Sequence, residues 1–328
     1  MVQWSALNFQ ALEEAEKKLI SLSGVNITTQ RIPINEYHSI YCLMAGESSN
    51  PPLVLLHGYL GMGMMFFKIL RHLALHYRVY CLDLLGMGRS SRPNFTAKGH
   101  KESEEFFTKP LEVCRQYLGL EKMILCGHSF GGYIAGCYTE EHPDRVEKLI
   151  LISPAGVSKV KENEPVKKLS FFQNLLHKFS HYLWRKNITP ATILRKIGPF
   201  GKKFVNHYLT GSFRGWKEEE LALVKIYFQQ VNLCPGSGEH ALPEILREFQ
   251  YAYSPLCDRL KNVPILFLYG DTDWMKIDGA HQNKEINSQN VVIEIVSNAG
   301  HQLYFDNPKE TAEKIFSGLA KLDEVQTA

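Results

Sequence analysis

The sequence lacks the features that mark several common protein classes. No uninterrupted apolar run approaches the ~18 residues that a membrane-spanning helix needs, and residues 1–19 lack the basic-then-apolar order of a signal peptide. The seven cysteines are odd in number, scattered along the chain, and form no C-x-x-C pair that could begin a zinc or redox site. We therefore expect an intracellular protein with reduced thiols that uses neither a metal nor a cofactor.

Charge is not spread evenly along the chain. The whole sequence of 328 residues has a formal net charge of +3, but residues 154–255 contain 15 Lys/Arg and only 8 Asp/Glu. No helix-turn-helix, zinc-finger or RNP-like pattern accompanies this basic segment, so nucleic acid is not the expected partner. The basic residues are interleaved with aromatic ones, a composition that also suits the surface of an anionic membrane.

Short runs rich in Val, Ile and Leu alternate with amphipathic stretches in most of the chain. Such runs, when helices separate them, predict a parallel sheet that is covered on both faces. We expect an N-terminal helix over residues 5–23 and a last helix over 308–322. The predicted strands cover residues 26–34, 37–45, 51–58, 77–86, 122–129, 146–156, 262–274 and 290–301, with further helices within 62–76, 101–119 and 131–143.

The alternation stops between residues 154 and 255. This interruption predicts an α/β core formed by residues 1–153 and 256–328, with residues 154–255 inserted as a helical cap. Within the insertion, the apolar residues from Leu169 to Leu183 recur at helical spacing and predict one amphipathic helix.

The strongest chemical motif is GHSFGG, in which Gly127, Ser129 and Gly131 match G-x-S-x-G. A predicted strand precedes the motif and a predicted helix follows it, which is the context in which a serine at a tight, strained turn acts as a nucleophile. We therefore predict that Ser129 is the catalytic nucleophile; the alternative is an ordinary serine in a glycine-rich turn.

A serine nucleophile needs a base, and the base needs an orienting carboxylate. His301 follows the predicted strand VVIEIV and is the candidate base, while Asp273 follows the strand ILFLYG and is the preferred acid. Asp278 in the same loop is the second candidate for the acid, and Asp271 is expected to be a turn residue that bonds its own backbone.

The negative charge of a tetrahedral intermediate requires two backbone N–H donors. We predict that the amides of Tyr59 and Phe130 form this oxyanion hole, since Phe130 directly follows the nucleophile and Tyr59 lies in the glycine-rich loop LHGYLG. His57, at the start of that loop, is interpreted as a structural residue that holds the loop in place.

Taken together, GHSFGG, LHGYLG, DLLGMGRSSRP (83–93), YGDTDWM (269–275) and GHQLYFDNP resemble the α/β-hydrolase fold superfamily. Three further segments are similar to the abhydrolase-domain lipid enzymes: residues 12–22, 188–208 and 236–242. That group includes N-acyl-phospholipid lysophospholipases, a co-activator of triglyceride lipase, plant lysophosphatidate acyltransferase-like lipases and a yeast cardiolipin deacylase.

The resemblance implies a serine hydrolase that cleaves fatty-acyl bonds of phospholipids or lysophospholipids. Two alternatives stay open: an acyltransferase that passes an acyl group from acyl-CoA to a lysophospholipid, and a non-catalytic regulator that binds lipid or a lipase. The lipase co-activator has an asparagine where this chain has Ser129, which favours catalysis here. The acid differs within the group, and the DWM sequence after Thr272 is similar to the plant and yeast members, which favours Asp273 over Asp278.

The segment AGHQLYFDNP also contains His301 and Asp306 in an H-x-x-x-x-D pattern, the spacing of glycerolipid acyltransferases. We interpret Asp306 instead as part of a helix start, in which Asn307 caps the last helix, Pro308 takes its first position and Glu310 completes the cap. The basic, aromatic cap predicts a cytoplasmic protein held peripherally on a membrane or lipid-droplet surface, with the mitochondrial surface as one possibility.

Overall fold

The computed structural model describes residues 8–160, 182–197, 199–212, 216–248, 250–287 and 290–327. The strands in these residues are β1 (Ile27–Pro33), β2 (Ser39–Ala45), β3 (Pro52–Leu56), β4 (Arg78–Leu82), β5 (Met123–His128), β6 (Val146–Ile152), β7 (Leu246–Glu248), β8 (Tyr251–Ala252), β9 (Ile265–Gly270) and β10 (Val291–Val296). Most of them join one eight-stranded sheet, in the order β1-β2-β4-β3-β5-β6-β9-β10, while β7 and β8 pair separately.

The central sheet is mostly parallel, as its apolar strands predict. Strands β4, β3, β5, β6, β9 and β10 pair in parallel, and β2 runs against its neighbours β1 and β4. Every residue of β5 and β9 is buried, because helices cover both faces of the sheet. The predicted α/β-hydrolase architecture is therefore confirmed.

Helices pack on both faces of the sheet and form two apolar layers. These helices are α1 (Phe9–Ser23), α2 (Phe67–Leu73), α3 (Gly99–Tyr117), α4 (Phe130–Glu141), α5 (Pro190–Lys196), α6 (Pro199–Ser212), α7 (Glu218–Asn232), α8 (Leu242–Ile245), α9 (Leu256–Arg259), α10 (Asp278–Ile286), α11 (Leu303–Asp306) and α12 (Pro308–Thr327). The layer on one face includes residues of α1, α2 and α12, and the layer on the other includes residues of α3, α4 and α10.

The helix predicted over residues 62–76 is shorter and begins differently. Its first turn is a 3-10 helix, Gly63–Phe66, and α2 follows from Phe67. The amide of Gly63 donates to the buried carboxylate of Asp83, at the end of β4, which binds this turn to the sheet. The spacing of apolar residues in this segment does not predict that bond, because the accepting carboxylate lies 20 residues further along the chain.

Parallel strands bring the residues that follow them to one edge of the sheet. The loops after β3, β5, β6, β9 and β10 start at residues 57, 129, 153, 271 and 297. This edge therefore collects all of the predicted site residues: Tyr59, Ser129, Phe130, Asp273, Asp278 and His301.

The helices α5 to α7 belong to the predicted cap. Helix α7 packs along α1, where Tyr227 donates a hydrogen bond of 2.6 Å to the buried carboxylate of Glu16. Arg92 of the core donates to the carbonyls of Val231 and Pro235 at 3.1 and 3.0 Å. Most of the amphipathic helix expected from Leu169 to Leu183 lies outside the described residues, and the division into core and cap stays a prediction.

Two absences hold within the described residues. None of their helices combines the length and apolar character required to cross a membrane. The same residues contain no group of three or more His, Cys, Asp or Glu side chains arranged to hold a metal ion. All seven cysteines lie in described segments and are free thiols.

Candidate active site

Ser129 occupies the sharp turn between β5 and α4. Its backbone has φ 53° and ψ −118°, which is a strained conformation for a residue with a side chain. The turn is nevertheless fixed by hydrogen bonds: Ser129 N donates to Ile152 O at 2.9 Å, and Ser129 O accepts from Ala155 N at 3.1 Å. Strain at a well-bonded serine is what the G-x-S-x-G pattern predicts.

The two outer glycines of the motif are needed because backbone atoms approach them closely. A Cβ on Gly127 would lie 2.3 Å from Gly131 O, and a Cβ on Gly131 would lie 2.3 Å from His57 O. The nucleophile turn is thereby packed directly against the loop that follows β3, where Tyr59 lies.

His301 and Asp273 come together at the cavity that Ser129 and His301 line. His301 Nδ1 lies 3.1 Å from Asp273 Oδ1, and the Asp273 side chain is only 1% exposed. Burial raises the pKa of Asp273, but the hydrogen bond and charge of His301 outweigh it, so this pKa lies below its usual value. Met275 N donates a further bond of 2.9 Å to the same oxygen. The carboxylate is therefore held ionised beside the imidazole.

The other two aspartates of residues 271–278 have different places in the chain. Asp278 is the first residue of α10, five residues beyond the carboxylate that contacts His301. Asp271 accepts from Asn298 N at 2.8 Å and from Ala299 N at 3.0 Å. Its main partners are thus in the loop that leads to His301, rather than in its own turn as expected, because β9 and β10 are neighbours in the sheet.

Tyr59 and Phe130, the predicted oxyanion-hole residues, line the same cavity as Ser129 and His301. The loop of Tyr59 is held by His57, whose Nε2 accepts from Leu84 N at 3.0 Å and whose Nδ1 lies 2.8 Å from Gly58 O. Complete burial lowers the pKa of His57 to about 4, so this histidine is neutral. These contacts support the structural interpretation of His57.

The cavity has a volume of about 180 Å³ and is mainly apolar. Residues of the predicted core form one wall, and Phe228, Leu242 and Leu246 of the predicted cap form part of the other. Trp274 lies at its rim, 55% exposed, with its ring centroid 4.7 Å from that of His301. An apolar space beside a serine suits an acyl chain better than a phosphate.

Asp306 does not contact His301 in an acyltransferase-like arrangement. Its Oδ2 accepts from Gly300 N at 2.9 Å and so holds the loop that precedes the histidine. The N-terminal capping predicted for the last helix, α12, is present: Glu310 N donates to Asn307 Oδ1 at 3.3 Å, and Asn307 Nδ2 donates to Glu310 Oε2 at 2.7 Å.

Sequence reasoning missed three residues that surround the candidate base. His128 Nε2 lies 2.9 Å from His301 O, and the hydroxyl oxygen of Tyr304 lies 3.2 Å from His128 Nδ1. The buried hydroxyl of Ser153, directly after β6, lies close enough to Asp273 to help lower its pKa, although it makes no hydrogen bond of normal geometry. The one feature of the sequence that points to His128 is its position directly before Ser129 in the motif GHSFGG.

Comparison with known proteins supplies independent findings. A family model described as the alpha/beta hydrolase fold matches residues 51–308. A 1-acylglycerol-3-phosphate O-acyltransferase from Arabidopsis thaliana is 36% identical, over 94% of this chain and 79% of its own length. A human (lyso)-N-acylphosphatidylethanolamine lipase is 27% identical, over 90% of this chain and 88% of its own.

Solved structures agree with this fold. The crystal structure of a membrane phospholipase A, described as a bacterial virulence factor, superposes with a TM-score of 0.69 at 23% identity. The match covers 97% of this chain and 92% of that one.

Proposed function

The chain belongs to the α/β-hydrolase-fold family, and from this premise we propose that it is a serine hydrolase that cleaves fatty-acyl bonds of phospholipids or lysophospholipids. The observation that carries the proposal is the contact of 3.1 Å between His301 and Asp273 at the cavity that also contains the strained Ser129. The lipid names of the relatives and the apolar cavity support the substrate class.

In the proposed mechanism, His301 Nε2 takes the proton of Ser129 Oγ, and Oγ attacks the acyl carbonyl carbon. The amides of Tyr59 and Phe130 donate to the oxyanion, and the protonated imidazole then gives its proton to the leaving oxygen or nitrogen. Water, deprotonated by His301, attacks the acyl-enzyme; the ester bond to Ser129 Oγ breaks, Oγ takes the proton back from His301, and the fatty acid is released. Asp273 keeps the proton of His301 on Nδ1 and stabilises the imidazolium.

The size of the cavity bears on how a lipid is held. A volume of about 180 Å³ is below the roughly 300–1,000 Å³ of typical small-molecule sites. We propose that the cavity receives the reacting end of the acyl chain, while the head group stays outside the rim at Trp274.

Labelling by a fluorophosphonate probe, with turnover of a 1-acyl lysophospholipid, tests this function. We expect labelling and turnover in the wild type and neither in Ser129→Ala. The matched control is Ser103→Ala, which removes a buried serine hydroxyl from α3, outside the site. If folded Ser129→Ala keeps wild-type turnover, the nucleophile assignment is wrong; if the wild type is not labelled and has no turnover, the non-catalytic alternative is favoured.

A second candidate function is transfer of the acyl group to a lysophospholipid in place of water. The names of the plant relatives favour it specifically. Incubation with labelled acyl-CoA and lysophosphatidate would yield labelled phosphatidate only if the chain is such a transferase. No labelled product above the Ser129→Ala background would remove this candidate.

We further propose that the cap holds the protein peripherally on an anionic membrane or lipid-droplet surface that faces the cytoplasm, the mitochondrial surface included. Phe200 and Ile197 are 72% and 42% exposed, and the exposed Lys196 and Lys203 lie near them in the chain. Flotation with anionic vesicles should weaken in Ile197→Ser/Phe200→Ser but not in Tyr37→Ser, which replaces an exposed aromatic residue in the β1–β2 hairpin. Equal binding of the wild type to neutral vesicles would contradict the electrostatic part.

A further inference from the structure

One oxygen of the candidate acid carries the hydrogen bonds described for that carboxylate. Asp273 Oδ1 lies 3.1 Å from His301 Nδ1 and accepts from Met275 N at 2.9 Å. The other oxygen, Oδ2, is buried and has no hydrogen-bond partner among the described residues. A buried carboxylate oxygen without a partner is unfavourable, because water no longer solvates it. Such an atom in a candidate active site requires an explanation.

A serine hydroxyl in the same condition lies near this carboxylate. Ser153 is fully buried, and its Oγ likewise has no hydrogen-bond partner within the described ranges. Ser153 directly follows β6, and its amide donates to Leu268 O of the neighbouring strand β9 at 2.8 Å. Asp273 follows β9, and its amide donates to Gly270 O at 3.2 Å. Adjacent strands thus bring a buried donor without an acceptor close to a buried acceptor without a donor.

The backbone of Ser153 gives a second reason to assign a role to its hydroxyl. Its φ of 44° lies in the left-handed region, which glycine adopts without strain and asparagine with little. A serine at this position is therefore strained where a glycine would not be. Ser129, the candidate nucleophile, also has a positive φ, directly after the adjacent strand β5. Strain that is kept at a serine beside the candidate acid points to a function of the side chain.

A second buried hydroxyl, that of Tyr269 in β9, also has no partner in the part of the chain that the structure describes. Burial, and after it the charge of Asp273, raises the pKa of Tyr269. Burial likewise raises the pKa of Asp273, but the hydrogen bonds that outweigh it come from His301 and then from Ser153. Ser153 is therefore the hydroxyl that lies close enough to act on the acid as a donor, whereas Asp273 acts on Tyr269 through its charge.

We propose that Ser153 is a positioning residue whose hydroxyl donates to Asp273 Oδ2 and fixes the tilt at which the carboxylate presents Oδ1 to His301. The proposal rests on the proposed function, because it concerns the acid of the same triad. A carboxylate that is held through both oxygens does not rotate away from the imidazole. The Nδ1 hydrogen of His301 then stays on Asp273, and Nε2 stays directed to Ser129.

Two replacements of Ser153 separate the hydroxyl from the backbone strain. Ser153→Ala removes the hydroxyl and keeps the strain, and Ser153→Gly removes both. Each should lower kcat for a 1-acyl lysophospholipid about five- to thirtyfold with little change in KM, because the bond is made to a charged group that acts in the chemical step. The melting temperature of Ser153→Gly should be close to or above that of Ser153→Ala.

The matched control is Thr108→Val. It removes another buried hydroxyl that has no partner among the described residues, in α3 and outside the candidate site, at nearly constant volume. Thr108→Val should keep the wild-type kcat. Tyr269→Phe removes the second hydroxyl near the acid and should keep kcat within about twofold of the wild type.

A double-mutant cycle shows whether Ser153 acts through Asp273. In the Asp273→Asn background, Ser153→Ala should lower the residual Ser129-dependent rate by less than about twofold, because the carboxylate that the serine holds is gone. If the two substitutions acted independently, their effects would multiply, and the five- to thirtyfold loss would recur in this background. A serine that only supports the fold would give that second result.

Each contrary result has one meaning. Wild-type kcat in Ser153→Ala refutes the proposal, and so does wild-type kcat in Ser153→Gly, because backbone strain would then explain the loss in the alanine variant. Equal losses with Asp273 and with Asn at position 273 refute it as well. A loss in Tyr269→Phe that disappears in Asp273→Asn would assign the donor to Tyr269 instead. Absence of Ser129-dependent turnover in the wild type would remove the proposed function, and this proposal with it.

Discussion

The two walls of the candidate active-site cavity are built in different ways. On the core side, backbone hydrogen bonds and close backbone contacts hold the nucleophile turn, as in the bond of 2.9 Å from Ser129 N to Ile152 O. On the side of the predicted cap, Phe228, Leu242 and Leu246 belong to helices and a short strand, and long-range side-chain contacts help to hold them, as in the bond of 2.9 Å from Trp184 Nε1 to Leu246 O. Arg195 and Glu239 form an ion pair there, with 17% and 6% of their side chains exposed.

This difference predicts which amino-acid substitutions each wall tolerates. A backbone contact can be lost only by moving the chain, so the core wall should respond to added volume at glycine. A side-chain contact is lost by a single substitution, so the cap wall should respond to removal of one charged group. Substitutions in each wall separate these two behaviours.

The largest effect is expected from Gly131→Val. A Cβ at this position would lie 2.3 Å from His57 O and 2.6 Å from Leu56 O, and backbone atoms cannot withdraw as a flexible side chain would. We expect destabilisation of more than ~3 kcal/mol and loss of turnover, measured by urea unfolding and esterase assay. Gly300→Ala is the matched control, because its nearest atom is 3.6 Å away. Wild-type stability in Gly131→Val would contradict the packing argument.

Asp273→Asn should break the chemistry without moving the core wall. An asparagine keeps the shape of the side chain but favours the wrong tautomer of His301, and we expect kcat to fall by roughly 10³- to 10⁴-fold with little change in stability. Asp278→Asn is the control and should reduce kcat less than about threefold. The reverse result would make Asp278 the acid. Steady-state kinetics and thermal unfolding of both variants measure this.

Much of the core wall could be predicted from the sequence, for a physical reason. Strand residues are marked by apolar runs, and parallel strands end at one edge, so the sequence alone leads us to expect Ser129, Asp273 and His301 near each other. Their catalytic roles stay a prediction. The turn role expected for Asp271 was only half right, since its partners are Asn298 and Ala299 on the neighbouring loop.

The cap wall and the surroundings of the base could not be predicted in this way. Glu16 accepts from Tyr227 across 211 residues of chain, and His128 contacts His301 across 173. Such contacts depend on how elements pack in three dimensions, and no local period or motif encodes them. The same holds for Asp306, whose bond to Gly300 depends on the tight loop before α11.

Glu239→Ala should weaken the cap wall and leave the nucleophile turn intact. Glu239 also accepts from Thr189 at 3.1 Å, and its removal leaves Arg195 largely buried without its carboxylate. Breaking a buried pair costs about 3–5 kcal/mol, and partial exposure of Arg195 reduces this towards about 3. Urea unfolding should show that loss, with a raised KM.

Two variants make the Glu239 result decisive. The double variant Arg195→Met/Glu239→Leu should recover most of the lost stability, because no unpaired charge is left buried. Glu219→Ala, in the exposed first turn of α7, should change stability by less than about 0.5 kcal/mol. If Glu239→Ala costs no more than Glu219→Ala, the ion pair does not hold the cap wall.

The smallest effect concerns His57, which holds the loop of the core wall, and it appears as a pH dependence. Burial lowers the pKa of His57 to about 4 in the folded state, against ~6.5 in the unfolded chain. The unfolded state then binds more protons between these values, so stability is full above pH 6.5 and falls as the pH drops towards 4, by about 1.4 kcal/mol per pH unit. In His57→Gln this slope should be shallower by that amount.

Asp83 has the opposite effect on how stability depends on pH, because burial raises its pKa to about 6. Below that pH the folded state binds more protons at this residue than the unfolded state does, which opposes the loss of stability caused by His57. Asp83→Asn should therefore make the fall in stability at acid pH steeper. Urea unfolding at pH 7, 6 and 5 measures both, and equal slopes in His57→Gln and the wild type would mean that His57 is not buried as a neutral group.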